Sequence, residues 1–327
     1  MKILVLGGSG FIGRNLVKAL AGSDHTVVSL DSVSETPQDN ITYILADIRN
    51  VDMNELVSTS DLVIDLIAYA NPSLYVSDPL NTFNICFTEN LKIVELCSKY
   101  KKRLIQFSTS EVYGDHGDES KAWNEQDTTF ITGPTHEIRW IYSSAKQTLE
   151  RLIYAYGKQL SLEYTIIRPF NFIGHDIDYL PSEQPGCPRV FSHFLDAILN
   201  NGPIKLVNGG EQKRAYTYID DAIDCIVKII NKPTACMNKI FNIGSPDNET
   251  SIANLAKLMI ETAIENEWVS NRPVVQTTTG DEFYGKGYAD ITRRVPCIDN
   301  VCSAVDWMPV TSLKNAVLYS MKPWFND

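Results

Sequence analysis

Three glycines at intervals of three, Gly7, Gly10 and Gly13, join an apolar run at residues 3–6 to a stretch with helical periodicity at 11–21. That junction limits the fold more than any other feature of the chain. Glycine is needed there for a tight turn, for close approach of the backbone to a pyrophosphate, and for packing the helix on the strand. The spacing by itself is common, and the apolar strand before it and the helix after it give it weight.

The same rhythm continues through the first half. Strands are predicted at 26–30, 41–45, 62–67, 103–107 and 163–167, with helices at about 82–100 and 142–156. Strands alternating with helices predict an α/β fold, a Rossmann-type doubly wound parallel sheet covered on both faces. Past Arg168-Pro169 the rhythm breaks, and residues 174–189, rich in Pro, Gly and polar side chains, read as a loop. Helices at 190–199, 220–230 and 251–264, with strands at 204–207 and 239–243, predict a smaller α/β C-terminal lobe built from insertions. The expected division is a nucleotide-binding domain of residues 1–170 plus about 208–247, and a substrate lobe of about 171–207 and 248–327.

The crevice at the carboxyl ends of such strands is where a ligand binds. Asp31 follows Gly13 by 18 residues, at the end of the second strand. A carboxylate there accepts from adenosine ribose hydroxyls and repels a 2′-phosphate, which favours NAD over NADP. Asp47 and Ile48 end the third strand, where they face adenine or simply form a turn. Tyr142 and Lys146, four apart on a predicted helix, share one face. An ammonium beside the phenol is expected to lower its pKa towards working pH, and the lysine can bond the nicotinamide ribose. A bare pair of this kind is usually incidental; its company here is Ser108-Thr109-Ser110-Glu111-Val112-Tyr113-Gly114, directly after the strand ending at Phe107.

Charge and composition exclude some functions. A formal net charge of -11 argues against non-specific nucleic-acid or anionic-membrane binding, while a few arginines in one pocket still admit an anionic substrate. Seven cysteines without a Cys-x-x-Cys spacing read as reduced thiols. Five histidines show no spacing suited to a metal, and none is expected. No run approaches the roughly 20 apolar residues of a membrane span, and the apolar start is too short for a signal-peptide core. The expectation is a soluble, cytoplasmic protein.

The hydroxyl residues before Val112-Tyr113-Gly114, the pair Tyr142/Lys146, and Arg168-Pro169-Phe170-Asn171 stand in an order that resembles the extended short-chain dehydrogenase/reductases, in their sugar-nucleotide-modifying branch. The likeness spans essentially the whole chain. Ser110-Glu111 is similar to the pattern of UDP-glucuronic acid decarboxylases, including the decarboxylase domains of bifunctional bacterial polymyxin-resistance enzymes. The stretches Pro203-Ile204-Lys205-Leu206, 209–214 and 287–294 support that likeness. The resemblance implies NAD held by Gly7, Gly10, Phe11, Ile12, Gly13, Asp31, Asp47, Ile48, Tyr142 and Lys146. It implies catalysis by Thr109, Ser110, Glu111, Tyr142, Lys146 and Arg294, with Glu111 as a negative charge beside the departing carboxylate. It implies a UDP-sugar, expected to be UDP-glucuronic acid, bound by Tyr75, Arg139, Asn171, Arg189, Lys205, Gln212, Arg214, Tyr288 and Arg294. Without the resemblance, Arg214 and Arg294 read as surface charge. It also implies a homodimer through the helices near 82–100 and 142–157, in which Leu149, Leu152 and Ile153 are either buried contact or ordinary core. A UDP-sugar 4-epimerase or dehydratase, and a non-catalytic NAD sensor, are the alternatives; a sensor has no need of Thr109, Tyr142 and Lys146 together.

Overall fold

The computed structural model describes residues 1–115, 120–175, 177, 179–183, 188–284 and 290–325. Seven strands form one parallel sheet: β1 (Lys2–Leu6), β2 (Thr26–Asp31), β3 (Ile41–Leu45), β4 (Leu62–Asp65), β5 (Arg103–Phe107), β6 (Tyr164–Pro169) and β7 (Lys239–Ile243). Their order is β3-β2-β1-β4-β5-β6-β7. The direction of winding reverses between β1 and β4, so a crevice opens at their carboxyl ends beside the glycine turn.

Alternation along each strand sends neighbouring side chains to opposite faces. Ile3 and Val5 pack with Leu16, Val17 and Leu20 of α1 (Phe11–Ala21). Leu4 and Leu6 pack on the other face with Ile93, Val94 and Cys97, and with Leu149 and Ile153 of the helix Trp140–Leu160. Leu149 and Ile153 therefore belong to the chain's own core, 1% and 0% exposed, and are unavailable to a partner. The exposed apolar side chains of this region are instead Leu80, Tyr154 and Leu160.

Two predicted elements differ in outline. The strand expected over 62–67 stops at Asp65, whose carboxylate accepts the Ile67 N–H and turns the chain. The helix expected over 82–100 arrives in three pieces: Pro79–Phe83, a π-helical turn Asn84–Glu89, and Asn90–Tyr100. Asn90 Nδ2 donates to the Ile85 carbonyl within that wide turn.

Beyond β6 the chain builds small sheets outside the main one. Strand Ile204–Val207 pairs with Val275–Thr278, and Phe172–Ile173 with Thr217–Tyr218. Lys213–Ala215 lies between Glu249–Ser251 and Arg293–Arg294, in a register that sets Arg294 against Arg214. This pairing brings together two arginines 80 positions apart in the chain. Among the described residues no helix is long and apolar enough to cross a membrane, and six cysteines are unpaired thiols.

Candidate active site

The glycine turn has the form that its spacing predicts. Gly7 lies at φ +80°, and a Cβ on Gly13 would sit 2.2 Å from the Gly7 carbonyl oxygen. Helix α1 starts at Gly10 with no capping side chain and no acid in its first turn. Its first amides and the positive end of its dipole are thus left for an anion, which fits a dinucleotide pyrophosphate. Asp31 is tied to the turn: its carboxylate accepts from the Ser9 N–H at 2.9 Å and the Val33 N–H at 3.1 Å. Asp47 instead caps the short helix Ile48–Asn50 and pairs with Arg49, whose Nη2 lies 2.5 Å from Oδ2. Bonds from Arg49 hold the Asp47 carboxyl at about 2. Ile48, in the same short helix, is buried.

A cavity of about 510 Å³ runs from this turn to the small sheets. Gly7, Gly10, Phe11, Ile12 and Gly13 line one end, and Lys205, Gln212, Arg214 and Arg294 line the other. Tyr75, Thr109, Ser110, Glu111, Tyr142, Asn171 and Arg189 lie along its walls. Asp31, Asp47, Ile48, Arg139 and Lys146 do not line it, and Tyr288 falls outside the described residues.

Tyr142 is buried in this wall, its ring stacked on Tyr75 with centroids 4.5 Å apart and planes 9° from parallel. Burial pushes the phenol well above its ordinary value, and Cys86 and Glu111 push the same way. Hydrogen bonds with Thr109 and Tyr75 oppose them. The lysine is bonded behind the wall. Lys146 Nζ donates to Asn90 Oδ1 at 3.1 Å and to the Phe107 carbonyl at 3.0 Å, at the carboxyl end of β5 rather than in the cavity. The reason is depth: one helical turn beyond Tyr142, the ammonium meets the acceptors at the end of β5. These bonds anchor the helix beside Thr109. Beneath it lies Asp65, fully enclosed, which burial pushes up to about 6 against the pull of Lys146.

Glu111 is clasped by two guanidiniums. Arg139 Nη2 lies 2.5 Å from Oε2, and Arg294 Nη1 lies 2.8 Å from Oε1. Burial pushes the carboxyl up, but Arg139, Arg294 and Arg214 outweigh it and hold it at about 2. Glu111, expected as a negative charge beside the departing carboxylate, is ionised with its charge balanced by two arginines that it holds in place. Arg139, 1% exposed, acts from behind it and does not reach the cavity. Arg294 Nη1 also donates to Ser110 Oγ at 3.3 Å, and Arg214 Nη2 pairs with Asp290 Oδ1 at 2.7 Å. Among the described residues, three guanidiniums thus face two carboxylates in this cluster, an excess of one positive charge.

Four buried polar atoms of cavity-lining residues have no hydrogen-bond partner among the described residues: Arg294 Nε, Ser108 Oγ, Gln212 Oε1 and Tyr216 Oη. Buried polar groups ordinarily find partners, and these four on one cavity suit a polar ligand there. Asn171, at φ +41°, turns its Nδ2 to the Ala215 carbonyl and helps join the two ends. Behind the walls, Arg168 forks onto Glu150 at 3.0 and 2.6 Å and donates to Tyr113 Oη at 2.8 Å. It thereby ties the helix carrying Tyr142 to the turn carrying Thr109.

Sequence reasoning missed Asn90, Asp290 and Tyr216. For Tyr216 a signal was present: Gln212, Arg214 and Tyr216 fall at alternate positions, and all three line the cavity.

The model of the NAD dependent epimerase/dehydratase family matches residues 3–244. The bifunctional polymyxin resistance protein ArnA of Wigglesworthia glossinidia brevipalpis is 38% identical over 325 residues, 96% of this chain and 49% of its own length. The chain thus spans about half the length of that relative. The crystal structure of the PbgP3 protein of Burkholderia pseudomallei superposes with a TM-score of 0.87 at 34% identity, covering 99% of this chain and 96% of that one. The UDP-glucuronic acid 4-epimerase of Bacillus cereus, solved with UDP-glucuronic acid and NAD, shares the fold at a TM-score of 0.82 and 24% identity, over 98% of each chain. With the glycine turn, the Thr109–Tyr142 pair and the cavity between them in place, these matches make the chain a member of the NAD-dependent epimerase/dehydratase family, extended short-chain dehydrogenase/reductases that use NAD.

Proposed function

We propose that the protein oxidises C4 of UDP-glucuronic acid and then releases its C6 carboxyl group as CO2. The observation that carries this reading is the arginine cluster. A buried site with net positive charge, whose Arg294 Nε is unanswered, adjoins a tyrosine and threonine suited to alcohol oxidation. ArnA and PbgP3 support it through their similarity over nearly the whole chain.

When bound, NAD supplies the acceptor for the hydride of C4. Tyr142 takes the proton of the 4-hydroxyl as a phenolate, the charged form that the nearby Lys146 ammonium favours, and Thr109 holds the same oxygen. A C4 ketone stands β to the carboxylate, so the C5–C6 bond breaks with its electrons flowing into an enolate. Thr109 and Tyr142 donate to that enolate oxygen. Arg294, steadied by Glu111, binds the carboxylate and passes a proton to C5, directly or through water. Asp31 favours NAD over NADP. Residues 1–170 with about 208–247 hold the cofactor, and about 171–207 with 248–327 hold the UDP-sugar.

The test is to incubate the protein with NAD and UDP-glucuronic acid while following NADH absorbance, labelled CO2 and product mass. CO2 with accumulating NADH identifies UDP-4-keto-pentose as the product; CO2 without it identifies UDP-xylose. A C4-inverted uronic acid with no CO2 overturns the decarboxylase reading in favour of an epimerase. Tyr142→Phe should slow either reaction by roughly 10²–10⁴-fold.

We also infer a homodimer that pairs the helices Asn90–Tyr100 and Trp140–Leu160 across a two-fold axis, with Leu80 and Tyr154 among the side chains covered; Leu80 is 83% exposed in the single chain. The six unpaired thiols among the described residues suit a reducing compartment, which supports a cytoplasmic enzyme.

A further inference from the structure

We propose that Tyr216 contacts the substrate and, together with Arg294, receives the carboxylate of the sugar. The inference rests on the glucuronic acid reading above. Tyr216 is 3% exposed and lines the cavity, yet its hydroxyl has no hydrogen-bond partner among the described residues. An unanswered buried hydroxyl is destabilising, and a phenylalanine would fill the same space without that cost. The oxygen therefore serves something other than packing. Arg294 Nε is unanswered in the same cavity.

The charged groups acting on the phenol are Arg214, Arg294 and Asp290. Arg214 is already answered by Asp290, and Arg294 by Glu111 on its Nη1 side. Among the buried donors left unanswered beside these pairs are the Tyr216 phenolic O–H and the Arg294 Nε–H. Two donors match the two oxygens of a carboxylate, whereas the hydroxymethyl of a neutral hexose offers one oxygen. Tyr216 is thus a specificity residue, selecting the acidic sugar over its neutral counterpart.

Tyr216→Phe in the full chain tests this through two readouts that a purely structural tyrosine would move differently. Urea unfolding without ligand should give a stability equal to or above the wild type, because the unanswered oxygen is gone. Calorimetry on the NAD-loaded protein should give UDP-glucuronic acid binding weaker by about tenfold. Binding of UDP-glucose and of UDP should stay as in the wild type. A loss of stability would mean that the hydroxyl holds the fold, and equal weakening of all three ligands would assign it to the nucleotide; either overturns the proposal. A variant that keeps the full wild-type preference for UDP-glucuronic acid overturns this inference and leaves the glucuronic acid reading standing. A wild type that binds UDP-glucuronic acid no tighter than UDP-glucose overturns both.

Discussion

Glu111→Gln keeps the shape of the side chain and deletes its charge, so it measures what the clasp between Arg139 and Arg294 contributes. The carboxyl is held at about 2 rather than its ordinary 4.5. At about 1.4 kcal/mol per tenfold, that difference corresponds to about 3 kcal/mol of stability. The pKa is depressed by folding, so this contribution is complete above about 4.5 and is lost as pH falls towards about 2. Removing one partner from a buried pair costs about 3–5 kcal/mol by the same physics, because two guanidiniums then share a low-dielectric site without an anion. Urea unfolding followed by tryptophan fluorescence should place the variant about 3 kcal/mol below the wild type at neutral pH. The gap should narrow as the pH is taken below about 4.5. Equal stability at neutral pH, or a gap that ignores pH, would refute the ion cluster as described. NAD binding, measured separately, should survive, because Glu111 lies outside the glycine turn.

Asp65 has the opposite sign. Its folded value of about 6 lies above the ordinary 3.8, so stability falls as pH rises between the two. Asp65→Asn should therefore be more stable than the wild type above about pH 6, by up to about 3 kcal/mol, and lose that gain below about pH 4, as read by urea midpoints. Asp31→Ala should narrow the preference for NAD over NADP in calorimetric titrations; equal affinities in the wild type would remove the argument from that carboxylate. Light scattering at micromolar concentration should return twice the 36.7 kDa of the single chain, and a charged residue in place of Leu80 should halve it if that side chain is covered by a partner.

Much of the fold was legible because its signals are local. A strand, three glycines and a helix lie within about two dozen consecutive residues, and buried parallel strands read as short apolar runs. Pairing in the main sheet follows from the winding rule rather than from any residue's identity. The cavity wall was legible where a motif is contiguous, as at Ser108 to Gly114, or spaced by a helical turn, as at Tyr142 and Lys146. Direction was harder. Spacing put Lys146 on the same helix face as Tyr142 but carried no information about depth, and the acceptor that turns it away, Asn90, belongs to another helix. Glu111 was recognisable as an active-site acid, while its neutralisation depends on Arg294, brought in by the register of a three-stranded sheet with no periodicity of its own. Such meetings between distant segments are tertiary facts, and one sequence holds no trace of them.

The wide helical turn at Asn84–Glu89 has a consequence for how this protein can change over time. It carries an extra residue relative to an α-helix, and Asn90 follows it directly. Downstream, the helix is locked by Ile93, Val94 and Cys97 in the core; upstream, the chain leads back to Tyr75, stacked on the tyrosine of the active site. Each residue of helix advances the chain by about 100°. Deleting one position within this turn would restore regular winding and rotate helix Pro79–Phe83, from which the chain leads back to Tyr75, by about that angle relative to everything downstream. Tyr75 would leave Tyr142, or Asn90 would leave Lys146. The length of this segment is thus as constrained as its buried side chains: the count of residues between Tyr75 and Asn90 behaves like the tooth number of a gear, and a lineage that lost one tooth would have to regain it between the same two residues.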